Sequence, residues 1–247
     1  MCSSDLPLII GLAVAGLALQ PAAADPAALT PQRMWQLARL AAPALSPDGT
    51  TAVLAVTRFD LQKDTPDTDL WLVPAAGGPG RVLAAAPGGE SEPAWSPDGR
   101  RLAFVAQRKG DDAPQIYLVE RGKSKAKRLT RVPTGVYGIR WFPDSARLAF
   151  VSRVWPELAT WAEQGRRLKE RNERKVSAMV YDTARTRYWD HWIDDRQAHL
   201  FQVGITGGEP APLTVGCGLE LPYRSNGAAS YDISPRGDEI AFTADSS

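Results

Sequence analysis

Chemistry in this sequence has few side chains to start from. The 247 residues hold two histidines, His191 and His199, and two cysteines, Cys2 and Cys217. A Ser-His-Asp relay needs an imidazole beside a hydroxyl and a carboxylate, and a metal centre needs imidazoles or thiolates at fixed spacings. Asp190, Asp194 and Asp195 neighbour the histidines, but no His-Glu-x-x-His or Cys-x-x-Cys accompanies them. His199 opens a strand-like run, which assigns it a local hydrogen bond, and no metal is assigned. A nucleophile elbow requires Gly-x-Ser-x-Gly on a strained strand-to-helix turn. Gly89-Glu90-Ser91-Glu92 comes nearest, but Pro93 follows and the segment leads toward a strand, so it reads as a loop. Gly216-Cys217-Gly218 lacks the further glycine and the βαβ context of a dinucleotide site. Cys217 has no basic neighbour to activate its thiol. No catalytic residue and no cofactor follow from these residues.

The elements that must position any site are announced by a repeat. Pro43-Ala44-Leu45-Ser46-Pro47-Asp48-Gly49 returns as Pro93-Ala94-Trp95-Ser96-Pro97-Asp98-Gly99, as Ile139-Arg140-Trp141-Phe142-Pro143-Asp144-Ser145 and as Tyr231-Asp232-Ile233-Ser234-Pro235-Arg236-Gly237. In each turn Pro presets φ, Asp bonds back to the local backbone, and Gly takes the positive φ that closes a hairpin. In the second unit the strand after the turn, Arg101 to Ala106, alternates Leu102, Phe104 and Ala106 with Ala103 and Val105. Both of its faces are apolar, so both must be covered. Gln115 to Val119 supplies a third strand, and Ala126 to Thr130 a more polar fourth that suits an edge. The first unit follows the same plan through Ala52–Val56, Asp69–Val73 and Gly80–Leu83. Four-stranded units at a period in the forties are the signature of a β-propeller. The fold class is therefore all-β, a partial propeller of three blades and the start of a fourth. Its last strand, Glu239 to Thr243, is expected to leave an open edge, and the chain alone is expected to be poorly stable.

An insertion of about residues 153–198 divides the third blade. Leu158 to Val176 is rich in helix formers and offers Glu163/Arg167 and Glu170/Arg174 at i,i+4, which predicts a solvated helix. At the other end of the chain, Leu8 to Leu19 has the length of a secretory core, too short to span a bilayer, with Ala22-Ala23-Ala24 as a cleavage site. The flanking Met1-Cys2-Ser3-Ser4-Asp5 carries an acid where a signal peptide carries positive charge. The reading is an exported protein with a signal peptide over 1–24, a leader over 25–42 and the propeller over 43–247. Cys2 departs with the signal, which leaves Cys217 without a disulfide partner. A net charge of +1, from 29 Lys+Arg against 28 Asp+Glu, directs the chain to neither nucleic acid nor an anionic membrane.

Arg153-Val154-Trp155-Pro156-Glu157, the charged run with Lys169-Glu170-Arg171, and Tyr188-Trp189-Asp190-His191-Trp192 leading to His199-Leu200-Phe201 resemble the propeller of the prolyl oligopeptidase family of serine peptidases. The dipeptidyl-peptidase and acylaminoacyl-peptidase types are the most similar, from about Leu29 to the last residue. Ser-Pro-Asp-Gly by itself is shared with TolB-type periplasmic propellers, so a stand-alone propeller that binds proteins is the alternative. The resemblance implies a propeller that caps a C-terminal α/β-hydrolase domain carrying Ser, Asp and His and restricts access to peptide substrates. That domain is expected beyond Ser247, and this chain alone is expected to be inactive. Dipeptidyl-peptidase relatives often bind the substrate's free amine with acidic residues on propeller insertions. By that resemblance Glu157 is the candidate, with Trp155 as an apolar wall; the alternative has Glu157 capping the helix and Trp155 packing at its base.

Overall fold

The computed structural model describes residues 29–84, 89–174, 187–188, 191–192, 195–222 and 230–244. The expected signal peptide and its cleavage site lie outside them.

A helix α1 (Pro31–Gln36), capped by Thr30, precedes the first sheet. That sheet holds β1 (Arg39–Leu40), β2 (Ala44–Leu45), β3 (Thr51–Asp60), β4 (Thr65–Pro74) and β5 (Arg81–Ala84), all antiparallel, with β1 and β2 both pairing β3. The end of the leader thus belongs to the first sheet. The second blade is β6 (Glu90–Trp95), β7 (Arg101–Ala106), β8 (Gln115–Glu120) and β9 (Lys127–Arg128). The third begins with β10 (Tyr137–Trp141) and β11 (Arg147–Val154). It is then interrupted by helix α2 (Trp161–Glu173) and a small hairpin of β12 (Arg187–Tyr188) and β13 (His191–Trp192). It resumes with β14 (Gln197–Gly204), paired to β11 over its whole length, and closes with β15 (Ala211–Pro212). A last hairpin, β16 (Tyr231–Ile233) and β17 (Ile240–Phe242), repeats the first two strands of a blade.

The strand period dictates how these sheets stack. Leu102, Phe104 and Ala106 pack with Val53, Ala55, Leu70 and Leu83 of the first blade, while Ala103 and Val105, on the opposite face, pack with Leu148 and Phe150 of the third. Ala149 and Val151 then face Tyr231, with Ile233, Ile240 and Phe242 packed against the same cluster. Three hydrophobic layers thus lie between successive blades, and each central strand is shared by two of them. This is the propeller arrangement that two apolar faces demand.

The antiparallel order gives the assembly two unlike ends. The end formed by the β2–β3, β6–β7, β10–β11 and β16–β17 connections, here the turn end, is made of the repeated tight turns. The opposite, loop end bears the ten-residue strands β3 and β4 projecting beyond the core, residues 107–114, and the insertion between β11 and β14.

At the turn end the Asp48 carboxylate accepts from Ser46 Oγ at 2.6 Å and from the Thr50 amide at 3.1 Å, and Asp98 repeats this with Ser96 and Arg100. Adjacent turns also meet. A β-carbon on Gly99 would lie 3.6 Å from Pro47 Cδ, and one on Gly237 only 3.2 Å from Pro143 Cδ. Ser145, which stands in the glycine position of the third turn, takes φ 54° and accepts the Asp98 amide on its hydroxyl at 3.0 Å.

Candidate functional site

The insertion starts where β11 runs out at Val154. Trp155 is 2% exposed, and its backbone N–H donates to Gln164 Oε1 at 3.0 Å. Gln164 Nε2 donates back to the carbonyls of Trp155 at 2.8 Å and Leu158 at 3.1 Å. This buried amide clamps the helix to the blade. The helix starts at Trp161 rather than Leu158 because Thr160 forms a capping box with Glu163: the Glu163 amide donates to Thr160 Oγ1, and the Glu163 carboxylate accepts from the Thr160 amide. The cap corrects the expected ion pairing. Satisfying otherwise orphaned helix N–H groups contributes about 1 kcal/mol, more than the few tenths of an exposed i,i+4 pair. Glu163 therefore serves the cap, and Arg167 turns to Glu157 and Asp195. Nor is the helix fully solvated. Trp161 packs 4.8 Å from the Phe201 ring, and a β-carbon at Gly165 would lie 3.3 Å from Pro133.

Glu157 does not cap α2. It is an exposed carboxylate hydrogen-bonded by Arg167, whose guanidinium also lies 4.9 Å from the centre of the Trp155 ring. Arg171 pairs with Asp195 at 2.5 Å, and Arg196 covers Trp155 from 5.6 Å. The structure thus brings Glu157 and Trp155 into one cluster through Arg167, and the indole is reached only when its two guanidinium covers move. Asp190 and Asp194 lie outside the described residues, as does the His191 side chain. His199 is buried in β14, its Nδ1 3.1 Å from Thr214 Oγ1 and its Nε2 3.3 Å from Gln197 Oε1. Burial lowers its pKa, so it is a neutral structural residue on the inner face of the sheet. Among the described residues no group of three or more His, Cys, Asp or Glu side chains is placed to hold a metal ion.

A second cluster at the loop end was not visible in the sequence. Glu90, taken there as part of a loop, opens β6 with its side chain wholly buried and pairs with Arg108 at 3.2 Å. Glu90 Oε2 and Arg108 Nε find no partner. Burial drives the Glu90 carboxyl above its ordinary pKa against the pull of Arg108. Arg108 lies over the rings of Tyr117 and Phe104, and the Tyr117 hydroxyl donates to Asp111 at 2.6 Å. Burial raises the Asp111 carboxyl, but hydrogen bonds from Tyr117, the Arg108 amide and Arg128 outweigh it and hold the group below the ordinary range. Burial and that carboxylate push Tyr117 up to about 12. Such a network can fix the mouth of the first two blades, but it presents no nucleophile paired with a base.

Comparison with known proteins agrees with this geometry. The 37% identity over 82 residues to Dipeptidyl-peptidase 5 of Porphyromonas gingivalis covers 33% of this chain and 12% of that protein. The uncharacterized peptidase YuxL of Bacillus subtilis is 31% identical over 100 residues, 40% of this chain and 15% of its own. The chain therefore matches only a small part of either relative. The acylaminoacyl peptidase of Pyrococcus horikoshii superposes on 72% of this chain and 26% of its own with a TM-score of 0.53 at 17% identity, a likeness of fold. The family described as TolB beta propeller domain matches residues 37–184, more than half of the 247. The chain belongs to the TolB beta propeller domain family.

Proposed function

We propose that this chain is the access-controlling propeller of an exported serine peptidase of the prolyl oligopeptidase type, with the signal peptide at 1–24 and a leader from residue 25 whose strand Arg39–Leu40 already belongs to the first blade. It gates peptides toward an α/β-hydrolase domain carried in the same polypeptide. The observation that carries this reading is that, among the described residues, the long strand extensions, residues 107–114 and the insertion all lie at one end of the stacked blades. A gate needs walls on one side and a regular support on the other, and the sequence relatives of this propeller are peptidases. The insertion is the wall that meets the substrate. Glu157 binds the free amine of a peptide, exchanging the Arg167 guanidinium for an ammonium in a charge-assisted hydrogen bond, with Trp155 as the apolar surface beneath. In the full-length enzyme, Glu157→Gln is expected to raise KM for peptides with a free N-terminus and to leave N-acylated peptides unchanged. Equal effects on both would remove Glu157 from amine binding. The gene beyond Ser247 tests the wider reading. A Gly-x-Ser-x-Gly within an α/β pattern supports the peptidase, and an early stop favours a stand-alone TolB-type propeller that binds proteins.

A further inference from the structure

The net charge of +1 conceals a local excess on the turn end of the second blade. From Arg121 to Arg128 the sequence holds five cations in eight residues and no acid, although Arg128 turns away to pair with Asp111 of the loop-end cluster. The Gly122 turn (φ 79°) carries the chain out of β8, and Ala126 packs back on the core, so Lys123, Lys125 and Lys127 stand exposed around it. Arg100, on the neighbouring turn, accepts the Arg121 amide on its carbonyl at 2.8 Å and adds a further exposed cation. Among the described residues, none of Lys123, Lys125, Lys127, Arg100 and Arg81 is in a salt bridge, whereas Arg121 pairs with Asp48 at 2.8 Å. Glu120 stands with Arg81 and Arg121 at the cleft between the first two blades, whereas Lys123, Lys125 and Lys127 lie outside that lining.

The same end holds an apolar cleft. Between the first and second blades, Leu72, Pro74, Pro79 and Leu83 face Leu102 and Val119 around about 280 Å³, and Arg81 and Arg121 stand at its border. On β5, Arg81 shares the face of Leu83, which packs toward the second blade, so the guanidinium is on the cleft side. A run of unpaired cations beside an apolar recess complements a molecule that is anionic at its head and apolar behind it. Single-stranded nucleic acid would call for exposed aromatic platforms. The only aromatic ring in the cleft lining, Trp95, is half-buried beneath Arg121.

We propose that this face docks on a bilayer rich in anionic lipid, the lysines meeting headgroups and the cleft taking apolar lipid atoms. In that orientation the loop end points away from the membrane and stays open to solution.

The test is co-sedimentation of the full-length protein, freed of residues 1–24, with phosphatidylcholine vesicles with and without phosphatidylglycerol. Binding is expected only with phosphatidylglycerol. It should weaken steeply between about 0.1 and about 1 M salt, as the screening length falls from about 10 to about 3 Å. Changing Lys123, Lys125 and Lys127 together to Gln should lower the partition coefficient about a hundredfold, since each cation near an anionic surface contributes about fivefold. The three side chains are exposed, so the fold is expected to survive, with an unchanged circular dichroism spectrum. Binding that ignores phosphatidylglycerol, or a triple variant that binds as well as the parent, overturns the proposal. So does displacement by dextran sulfate or a single-stranded oligonucleotide at equal charge concentration, which would make the patch a general polyanion site.

Discussion

At the turn end the same hydrogen bonds recur from blade to blade, whereas at the loop end only a threonine contact repeats, the Ile116 amide to Thr130 Oγ1 and the Leu200 amide to Thr214 Oγ1, and the side chain beside it changes from Gln115 to His199. Ser46 with Asp48 and Ser96 with Asp98 are copies of one another, and Ser234 with Asp238 keeps the scheme with the acid displaced. Each copy is small and mostly exposed, but each turn after the first also places a glycine or serine against the preceding one, so neighbouring blades are held in register by repetition. The loop end depends on single buried amides and charges: Gln115 at the second blade, Gln164 at the third, Glu90 with Arg108 at the first joint. Repetition at one end leaves the other free to diverge, because no loop-end contact is needed to repeat the blade.

The largest expected effect tests whether the loop end really rests on single residues. Gln115, 4% exposed, donates to the carbonyls of Val132 (2.8 Å) and Ala113 (3.1 Å) and accepts from the Val132 amide and Thr130 Oγ1. Gln115→Ala orphans several buried groups at once, and about 2–4 kcal/mol of stability should be lost, measured by urea unfolding. A loss below about 0.5 kcal/mol, the range of a surface substitution, would mean that water replaces the amide and that this end is looser than its hydrogen bonds imply.

The turn end should answer with a smaller, backbone-borne loss. Gly237 holds φ 73°, and its added β-carbon would meet Pro143 Cδ at 3.2 Å. Gly237→Ala is expected to cost about 1–3 kcal/mol through left-handed strain and contact with the third turn. Gly49, with φ 71° and no atom within 4 Å, isolates the strain alone, so Gly49→Ala should cost less. Equal losses at the two sites would show that the turns do not bear on one another and would dissolve the contrast between the ends.

The sequence legibility of the molecule follows the same division. The turns, the four-stranded units and the two-faced strand from Arg101 to Ala106 were readable because each is written more than once and obeys a period of two. Strands β3 and β4 were read too short, since Arg58, Asp60, Thr65 and Asp67 project beyond the core and carry no apolar alternation. Helix α2 was legible as a helix, but its start was not, because Glu163 reads as an i,i+4 partner of Arg167 and the capping box it forms with Thr160 sets the first turn instead. Glu157 and Trp155 both contact Arg167, an arginine that the sequence reading pairs with Glu163 instead. Glu90 gave no signal at all: a carboxylate beside Gly89 reads as loop, and only its register with Ala106 buries it.

Glu90 supplies the finest test of the comparison, because it asks whether a loop-end charge is held at a cost that no turn-end charge bears. Asp48 and Asp98 lie below the ordinary carboxylate range, each chiefly through the serine hydroxyl of its own turn. Their contribution is present above the unfolded pKa and is lost as pH falls through the folded value. Glu90 has the opposite sign. Its folded pKa is raised, so between the unfolded and folded values the native state binds more protons than the unfolded one, and stability falls as pH rises through that window. Glu90→Gln keeps an oxygen for Arg108 and removes the titration. The melting temperature of the variant relative to the parent should therefore climb as pH rises from below the ordinary glutamate pKa toward neutrality. Glu92, whose pKa is also raised by burial, is present in both proteins and cancels from this difference. Parallel profiles would mean that Arg108 fully compensates the burial of Glu90, and that the loop end stores no more electrostatic cost than the turns opposite.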